Sequence, residues 1–202
     1  MNISVIGAAG MVGSAIVAEA QNRGHQVTSY TRSGSAGTLA LDLANTNALV
    51  DVINSSEATV ISVASRDDYS AAIAAHRSLI AAAPIGRFLI VGGAGALQAG
   101  DIQLFETPDF PEEYLTEAKT FAAVLDDYRA ASDLNWTMLA PSPMIAPGAR
   151  TGDYRTKLDV PAGMFVSTQD FAVAAIDELE KPAHQGARFT VASADEAAAQ
   201  GQ

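Results

Sequence analysis

Three glycines near the N-terminus stand in the run Gly7-Ala8-Ala9-Gly10-Met11-Val12-Gly13, a G-x-x-G-x-x-G spacing. That spacing suits a turn that grips a diphosphate. Gly7 permits a tight turn off a strand, Gly10 lets backbone approach a pyrophosphate, and Gly13 lets the next helix lie close to the sheet. The unpaired N–H groups of Ala9, Gly10, Met11 and Val12 and the positive end of the helix would then face the phosphates. A strand–helix turn that binds nothing is the competing reading, because a glycine triplet alone is a weak signal.

A second group of residues bears on which dinucleotide fits. An NAD site normally places Asp or Glu at the end of the second strand, to bond both ribose hydroxyls. Here that segment reads Ser29-Tyr30-Thr31-Arg32-Ser33, with no acid. Arg32 offers a guanidinium fork for a 2′-phosphate, and Thr31 and Ser33 offer hydroxyl donors. NADP(H) is therefore expected over NAD(H), with an ordinary loop arginine as the alternative.

The elements around these residues follow from apolar periodicity. Met1 to Ile6 reads as a buried strand, Met11 to Arg23 as a helix carrying Val12, Ala15, Ile16 and Ala20, and His25 to Tyr30 as a second strand. Strand, glycine turn, helix and strand make one βαβ unit. The alternation continues with a helix capped by Asn45, a strand over 59–63, a helix capped by Asp68, a strand over 87–91, a helix ending near Ser132 and a strand over 135–140. A long loop runs from Gly92 to about Pro111. After Pro141 the chain reads as irregular, with Arg150 to Met164 poor in strand. Ser167-Thr168-Gln169-Asp170 looks like a capping box before a helix. Arg188 to Val191 makes a last strand, and 193–202 reads as a frayed tail. The expected architecture is a single Rossmann-like domain over 1–202, a doubly wound parallel sheet in three α/β/α layers with a small C-terminal elaboration.

Composition narrows the functional classes. Among 202 residues there is no cysteine, so thiolate catalysis, disulfides and cysteine metal sites are excluded. His25, His76 and His184 lack ligand spacing, and no metal is expected. The net charge of −11, from 12 basic and 23 acidic residues, argues against a nucleic-acid partner. No apolar run approaches the ~20 residues that span a bilayer. Met1 to Ile6 reads as a strand and not a signal peptide, so no membrane partner and a cytoplasmic location are expected.

Further residues complete a pattern: Asp42 in Leu41-Asp42-Leu43, Val91-Gly92-Gly93-Ala94-Gly95, Glu117-Ala118-Lys119 and Ala140-Pro141-Ser142-Pro143. With the glycine turn and Thr31-Arg32-Ser33, this set resembles the atypical short-chain dehydrogenase/reductase proteins of the NAD(P)H-binding, NmrA-like group. Within that group it is most similar to the NADH-flavin reductases, over nearly the whole chain. The resemblance implies that Asp42 and Leu43 lie against the adenine, and that Val63, Ala64 and Ser65 pass the riboses. It also implies that Gly92, Gly93 and Ala94 line the nicotinamide cleft, with Pro141 and Ser142 on the carboxamide side.

One departure matters. Short-chain reductases use a Tyr-x-x-x-Lys pair on the helix after the fourth strand, where four steps keep both side chains on one face. Here Tyr114 and Lys119 stand five apart, which rotates them ~140° apart unless the helix starts after Tyr114. Both remain catalytic candidates, Tyr114 as a substrate-facing or a packing residue and Lys119 as a ribose contact or a solvated charge. A cleft without a firm proton donor suits hydride transfer to a flavin (FMN or FAD) or quinone-like acceptor better than alcohol chemistry. A roof of Leu97, Leu104, Phe105, Phe110, Met144 and Ile145 would cover that acceptor. The alternatives are a non-catalytic NADP(H) redox sensor of the NmrA type and, less favoured, a nucleotide-sugar epimerase-like enzyme. Trp136 reads as core. Oligomeric state stays open between monomer and homodimer.

Overall fold

A computed structural model describes residues 1–35, 37–64 and 68–201. In chain order the elements are β1 (Asn2–Ile6), α1 (Met11–Asn22), β2 (Gln26–Thr31), β3 (Leu39–Ala40), α2 (Thr46–Ser55), β4 (Ala58–Ile61), α3 (Tyr69–Ala82), β5 (Phe88–Val91), β6 (Gln98–Ala99), β7 (Ile102–Gln103), α4 (Leu115–Ala130), β8 (Trp136–Pro141), β9 (Met144–Ala146), β10 (Tyr154–Leu158), β11 (Phe165–Ser167), α5 (Thr168–Glu180), β12 (Arg188–Ser193) and α6 (Glu196–Ala199). Eight strands form one sheet in the order β10-β12-β8-β5-β4-β1-β2-β3. Every neighbouring pair is parallel except β10 and β12, which run antiparallel. This is a Rossmann-like, doubly wound α/β fold. The chain winds one way through β1, β2 and β3, then crosses back to β4, β5, β8 and β12. The reversal puts the switch point between β1 and β4, where the carboxyl ends of such strands open a crevice.

Alternation along the strands feeds two cores. Ile3, Val5, Val60, Leu89, Leu139 and Val191 face one layer with Ile16 of α1 and Phe171 and Ile176 of α5. Ile6, Ile61, Phe88, Ile90, Trp136 and Met138 face the other, against Leu49, Leu79, Leu125 and Tyr128 from α2, α3 and α4. Trp136 lies fully in this second core with its ring 5.5 Å from that of Tyr128. Each such side chain contributes roughly 1.5–3 kcal/mol by leaving water. Asn45 and Asp68 cap α2 and α3 by accepting from Ala48 N and Ala71 N. Among the described residues no helix is long and apolar enough to cross a membrane.

Four local expectations are corrected. The stretch from Arg150 to Met164 contains β10, the edge strand of the main sheet, paired from Tyr154↔Ser193 to Leu158↔Phe189. The loop after Gly92 holds the β6–β7 hairpin and a 3-10 turn at Leu104–Glu106. At α5, Ser167 Oγ does accept from Asp170 N at 3.0 Å, but Asp170 does not complete the box. Its carboxylate instead accepts from Thr151 N, Gly152 N, the Thr151 hydroxyl and the Ser193 hydroxyl. Finally, the segment after Ser193 is docked. Glu196 accepts from Met164 N and Phe165 N and pairs with Arg155, and Ala199 is buried. Those anchors outweigh the low intrinsic order of an Ala-rich end.

Candidate functional site

The crevice at the switch point is a cleft of about 1620 Å³. Its floor is the glycine turn. Gly7 holds φ +83°, and a Cβ there would collide with the Ser62 carbonyl. A Cβ on Gly13 would collide with the Gly7 carbonyl, so that glycine serves the close approach of α1 to β1 and does not line the cleft. Gly10 differs. Its φ of −72° is open to any residue, and a Cβ there would meet only the Gly7 oxygen, at 3.3 Å. Protein packing thus gives little reason for a glycine at 10, whereas a diphosphate lying on the backbone does. The start of α1 fits the same group: no side chain caps it, and its first turn holds no acid.

Beyond the turn, Gly7, Ala9, Gly10, Met11, Val12, Thr31, Arg32, Asp42, Leu43, Val63, Ala64, Gly92, Gly93, Ala94, Pro141, Ser142 and Tyr114 all line this one cleft. Ser33 does not line it, and Ser65 lies outside the described residues. Arg32 stands at the exposed rim, in the loop that follows β2. The Thr38 hydroxyl donates to Ser35 O at 2.7 Å and faces the Thr31 hydroxyl at 2.9 Å. Thr31 then donates its proton within the loop, so the ligand donor expected of it is engaged. Asp42 accepts from Ala44 N at 2.9 Å, ordering the turn into α2. Ser142 is fully buried and donates to Val191 O at 2.8 Å.

The far end of the cleft is a largely apolar chamber. Leu104, Phe110, Phe121, Met144 and Ile145 line it. Met11, Tyr114 and Met144 leave about half their surface exposed, at 48, 51 and 52 %. Apolar side chains held in solvent around one cavity mark a binding surface. Of the expected roof, Leu97 is instead wholly buried in the interior, and Phe105 does not reach the cleft.

Helix α4 does begin after Tyr114, which sits at its N-cap with φ −99° and ψ −3°. Even so, the cleft-facing residues are Tyr114, Glu117, Ala118 and Phe121, the i, i+3, i+4, i+7 face, and Lys119 is exposed off that face. The structure therefore separates Tyr114 from Lys119. Position i+4, where a lysine would share the cleft with the tyrosine, is Ala118. Glu117, Phe121 and Asp109 were not expected in the cleft from the sequence, although the helical register from Tyr114 could have placed the first two there. Gln200 also lines the cleft, brought there by α6, and no local pattern signals it.

The wall formed by β9 is braced from behind. Arg150, in the loop beyond it, makes a two-pronged pair with buried Glu19 of α1, at 2.7 and 2.8 Å. That hydrogen-bonded pair, helped by Arg23, outweighs burial and pulls the Glu19 carboxyl down to about 2. Arg23 in turn reaches Asp177 and Glu180 of α5.

Comparison with known proteins agrees with this geometry. The model of a family described as NAD(P)H-binding matches residues 7–182. "Uncharacterized protein YwnB" of Bacillus subtilis is 35% identical over 212 aligned positions, covering 96% of this chain and 99% of that protein. A Streptococcus pneumoniae structure named as a "putative NADH-flavin reductase" is 33% identical with a TM-score of 0.84, covering 96% of this chain and 99% of that one. A Burkholderia pseudomallei structure named as a "putative exported protein" is 30% identical with a TM-score of 0.86, covering 95% and 99%. With the match spanning the glycine turn, the cleft walls and most of the sheet, the chain belongs to the NAD(P)H-binding family.

Proposed function

We propose that this protein is an NADPH-dependent oxidoreductase that reduces a flavin or a quinone-like acceptor. The observation that carries the reading is continuity: one cleft joins the glycine turn and Arg32 to an apolar chamber. Bound NADPH would supply a hydride from its nicotinamide ring. The rest falls to the chain. Backbone amides at the start of α1 hold the diphosphate, and Arg32 pairs with the 2′-phosphate. The ends of β5 and β8, at Gly92–Ala94 and Pro141–Ser142, flank the nicotinamide position. Phe110, Phe121, Met144 and Ile145 press a flat ring against it, which supplies proximity and orientation.

The acceptor class follows from what α4 lacks. With Ala118 at the i+4 position, no ammonium stands beside Tyr114 on the cleft face to assist proton donation. Reducing a ketone demands such a donor. Flavins and quinones accept hydride readily and can take their proton from water. The Streptococcus pneumoniae neighbour, named as an NADH-flavin reductase, supports the same class.

The test is to incubate pure protein with NADPH or NADH and riboflavin, FMN, FAD or a naphthoquinone, following loss of absorbance of the reduced nicotinamide. Turnover that is faster with NADPH is expected. Tight NADPH binding with no turnover of any acceptor would replace this reading with a redox sensor that only binds the dinucleotide.

A further inference from the structure

Resting on the hydride-transfer reading, we propose that the segment 195–200 is a wall of the acceptor chamber and that Gln200 sets how tightly an acceptor is held there. Among the described residues lining the cleft, Gln200 is the one that comes from beyond Phe165. It is the C-cap of α6 and stands exposed at the edge of the cleft, with its backbone N–H donating to Glu196 O at 3.0 Å. The topology gives it the acceptor side. Glu196 accepts from the N–H of Phe165, which pairs with Met144 of the chamber wall. Ala199 O accepts from Ala149 N at 2.8 Å, three residues past the end of β9. The segment thus lies along the β9–β11 pair, which follows β8, whereas Arg32 follows β2 on the opposite side of the switch point.

Two glycines far from the segment in sequence make room for it. Neither Gly148 nor Gly163 has a left-handed backbone, so conformation does not call for glycine at either position. A Cβ on Gly148 would collide with the Ala199 carbonyl, and one on Gly163 with the Glu196 carboxylate. Asp195 adds a cap, accepting from Ala198 N at 3.0 Å. A helix of four residues does not hold itself together, so these contacts fix it. What they deliver to the cleft is Gln200. A residue so fixed restrains a ring by proximity, and a displacement of about 1 Å is enough to lose most of that effect.

The test measures steady-state kinetics with riboflavin and a naphthoquinone, and NADPH affinity by calorimetry. Quenching of riboflavin fluorescence by the NADP⁺-loaded protein reads acceptor binding without turnover. Gln200→Ala is expected to raise acceptor KM about tenfold while NADPH affinity and melting temperature stay at the parental values. Gly148→Ala, which pushes on Ala199 from outside the cleft lining, should raise acceptor KM likewise. In the double variant the two effects should not multiply, because both act through one residue. Parental acceptor KM in Gln200→Ala, a loss confined to NADPH affinity, or effects that multiply in full overturns the proposal. Should Gly148→Ala fail to fold, Gln200→Ala alone decides. If the parent reduces nothing but binds riboflavin, and Gln200→Ala binds it more weakly, the wall stands and the hydride-transfer reading fails. If the parent neither reduces nor binds any acceptor, both fall.

Discussion

The hydroxyls of Thr31 and Thr38 lie 2.9 Å apart and close the loop that carries Arg32. Thr38 also accepts from Ser35 N and donates to Ser35 O, so one side chain ties both backbone groups of Ser35 to the Thr31 hydroxyl. Arg32 is thereby presented at the cleft rim between Thr31 and Ser35, the two residues that Thr38 ties together. Replacing Arg32 with Ala is expected to erase most of the preference for NADPH over NADH, a loss of roughly ten- to a hundredfold in relative affinity for a charge-assisted phosphate contact. Thr38→Val should lower the same preference by a smaller factor while leaving NADH binding nearly constant. Calorimetric titration with both nucleotides decides it. An Arg32→Ala protein that still discriminates like the parent would remove Arg32 from the specificity site.

The three glycines of the turn should separate by experiment. Gly13→Ala drives a methyl into the Gly7 carbonyl and has nowhere to go, so a loss of about 3 kcal/mol or more, or failure to fold, is expected. Gly10→Ala meets one backbone oxygen at 3.3 Å and keeps its φ of −72°, so the fold should survive with little change in melting temperature. Its dinucleotide affinity should nonetheless fall at least about tenfold, because the added methyl stands where the diphosphate approaches. A folded Gly10→Ala protein with parental affinity would mean that the phosphates do not cross that residue.

How far the sequence reached depended on where each residue's partner lies. The β1–α1–β2 unit was legible because Ile3, Val5 and Ile16 alternate at local spacing and the turn between them is made of local glycines. Asn45 and Asp68 were readable as caps for the same reason: the amides they bind lie three residues on. Strand β10 was not, because Tyr-Arg-Thr-Lys-Leu is an exposed edge whose strand character comes from pairing with β12, far along the chain. The docked tail was hidden likewise: Glu196 acts through Arg155, Met164 and Phe165. Within the cleft the glycines and strand ends were legible. Leu97 and Phe105 were misplaced because a loop's apolar residues do not announce which side faces inward.

Asp170 shows what such remote partners contribute. Its wholly buried carboxylate accepts four hydrogen bonds at 2.7–3.0 Å, two from backbone amides and two from hydroxyls. Asp170→Asn would turn an amide group toward at least one of these donors, leaving buried polar atoms unmatched at a cost of about 2–4 kcal/mol. For a chain of this size that is a fall in melting temperature on the order of 10 °C. Since the bonded residues, Thr151 and Gly152, adjoin Arg150, acceptor KM should rise in the same variant. Differential scanning fluorimetry and steady-state kinetics read the two effects. A variant as stable as the parent would show that the four bonds are individually dispensable.

The acid side of the stability profile should belong to His76. This ring is 3% exposed, with Nδ1 3.0 Å from the Tyr128 hydroxyl and the Tyr128 ring edge-on to it. Burial, opposed only by the charge of nearby Asp127, pulls its pKa from 6.5 down to about 4. The unfolded chain therefore binds a proton below pH 6.5 that the folded chain refuses until about pH 4, and stability falls as pH drops through that window. Between pH 7 and pH 5 the loss from this one group is on the order of 2 kcal/mol. Glu19 acts lower: with its carboxyl drawn from 4.5 to about 2, its contribution is lost only as pH falls below 4.5. His76→Gln keeps a polar group facing Tyr128 but cannot titrate. Urea midpoints for the parent should drop more between pH 7 and pH 5 than those for His76→Gln, even though the variant is less stable at pH 7. Parallel pH profiles for the two proteins would show that His76 takes up its proton equally in the folded and unfolded chains.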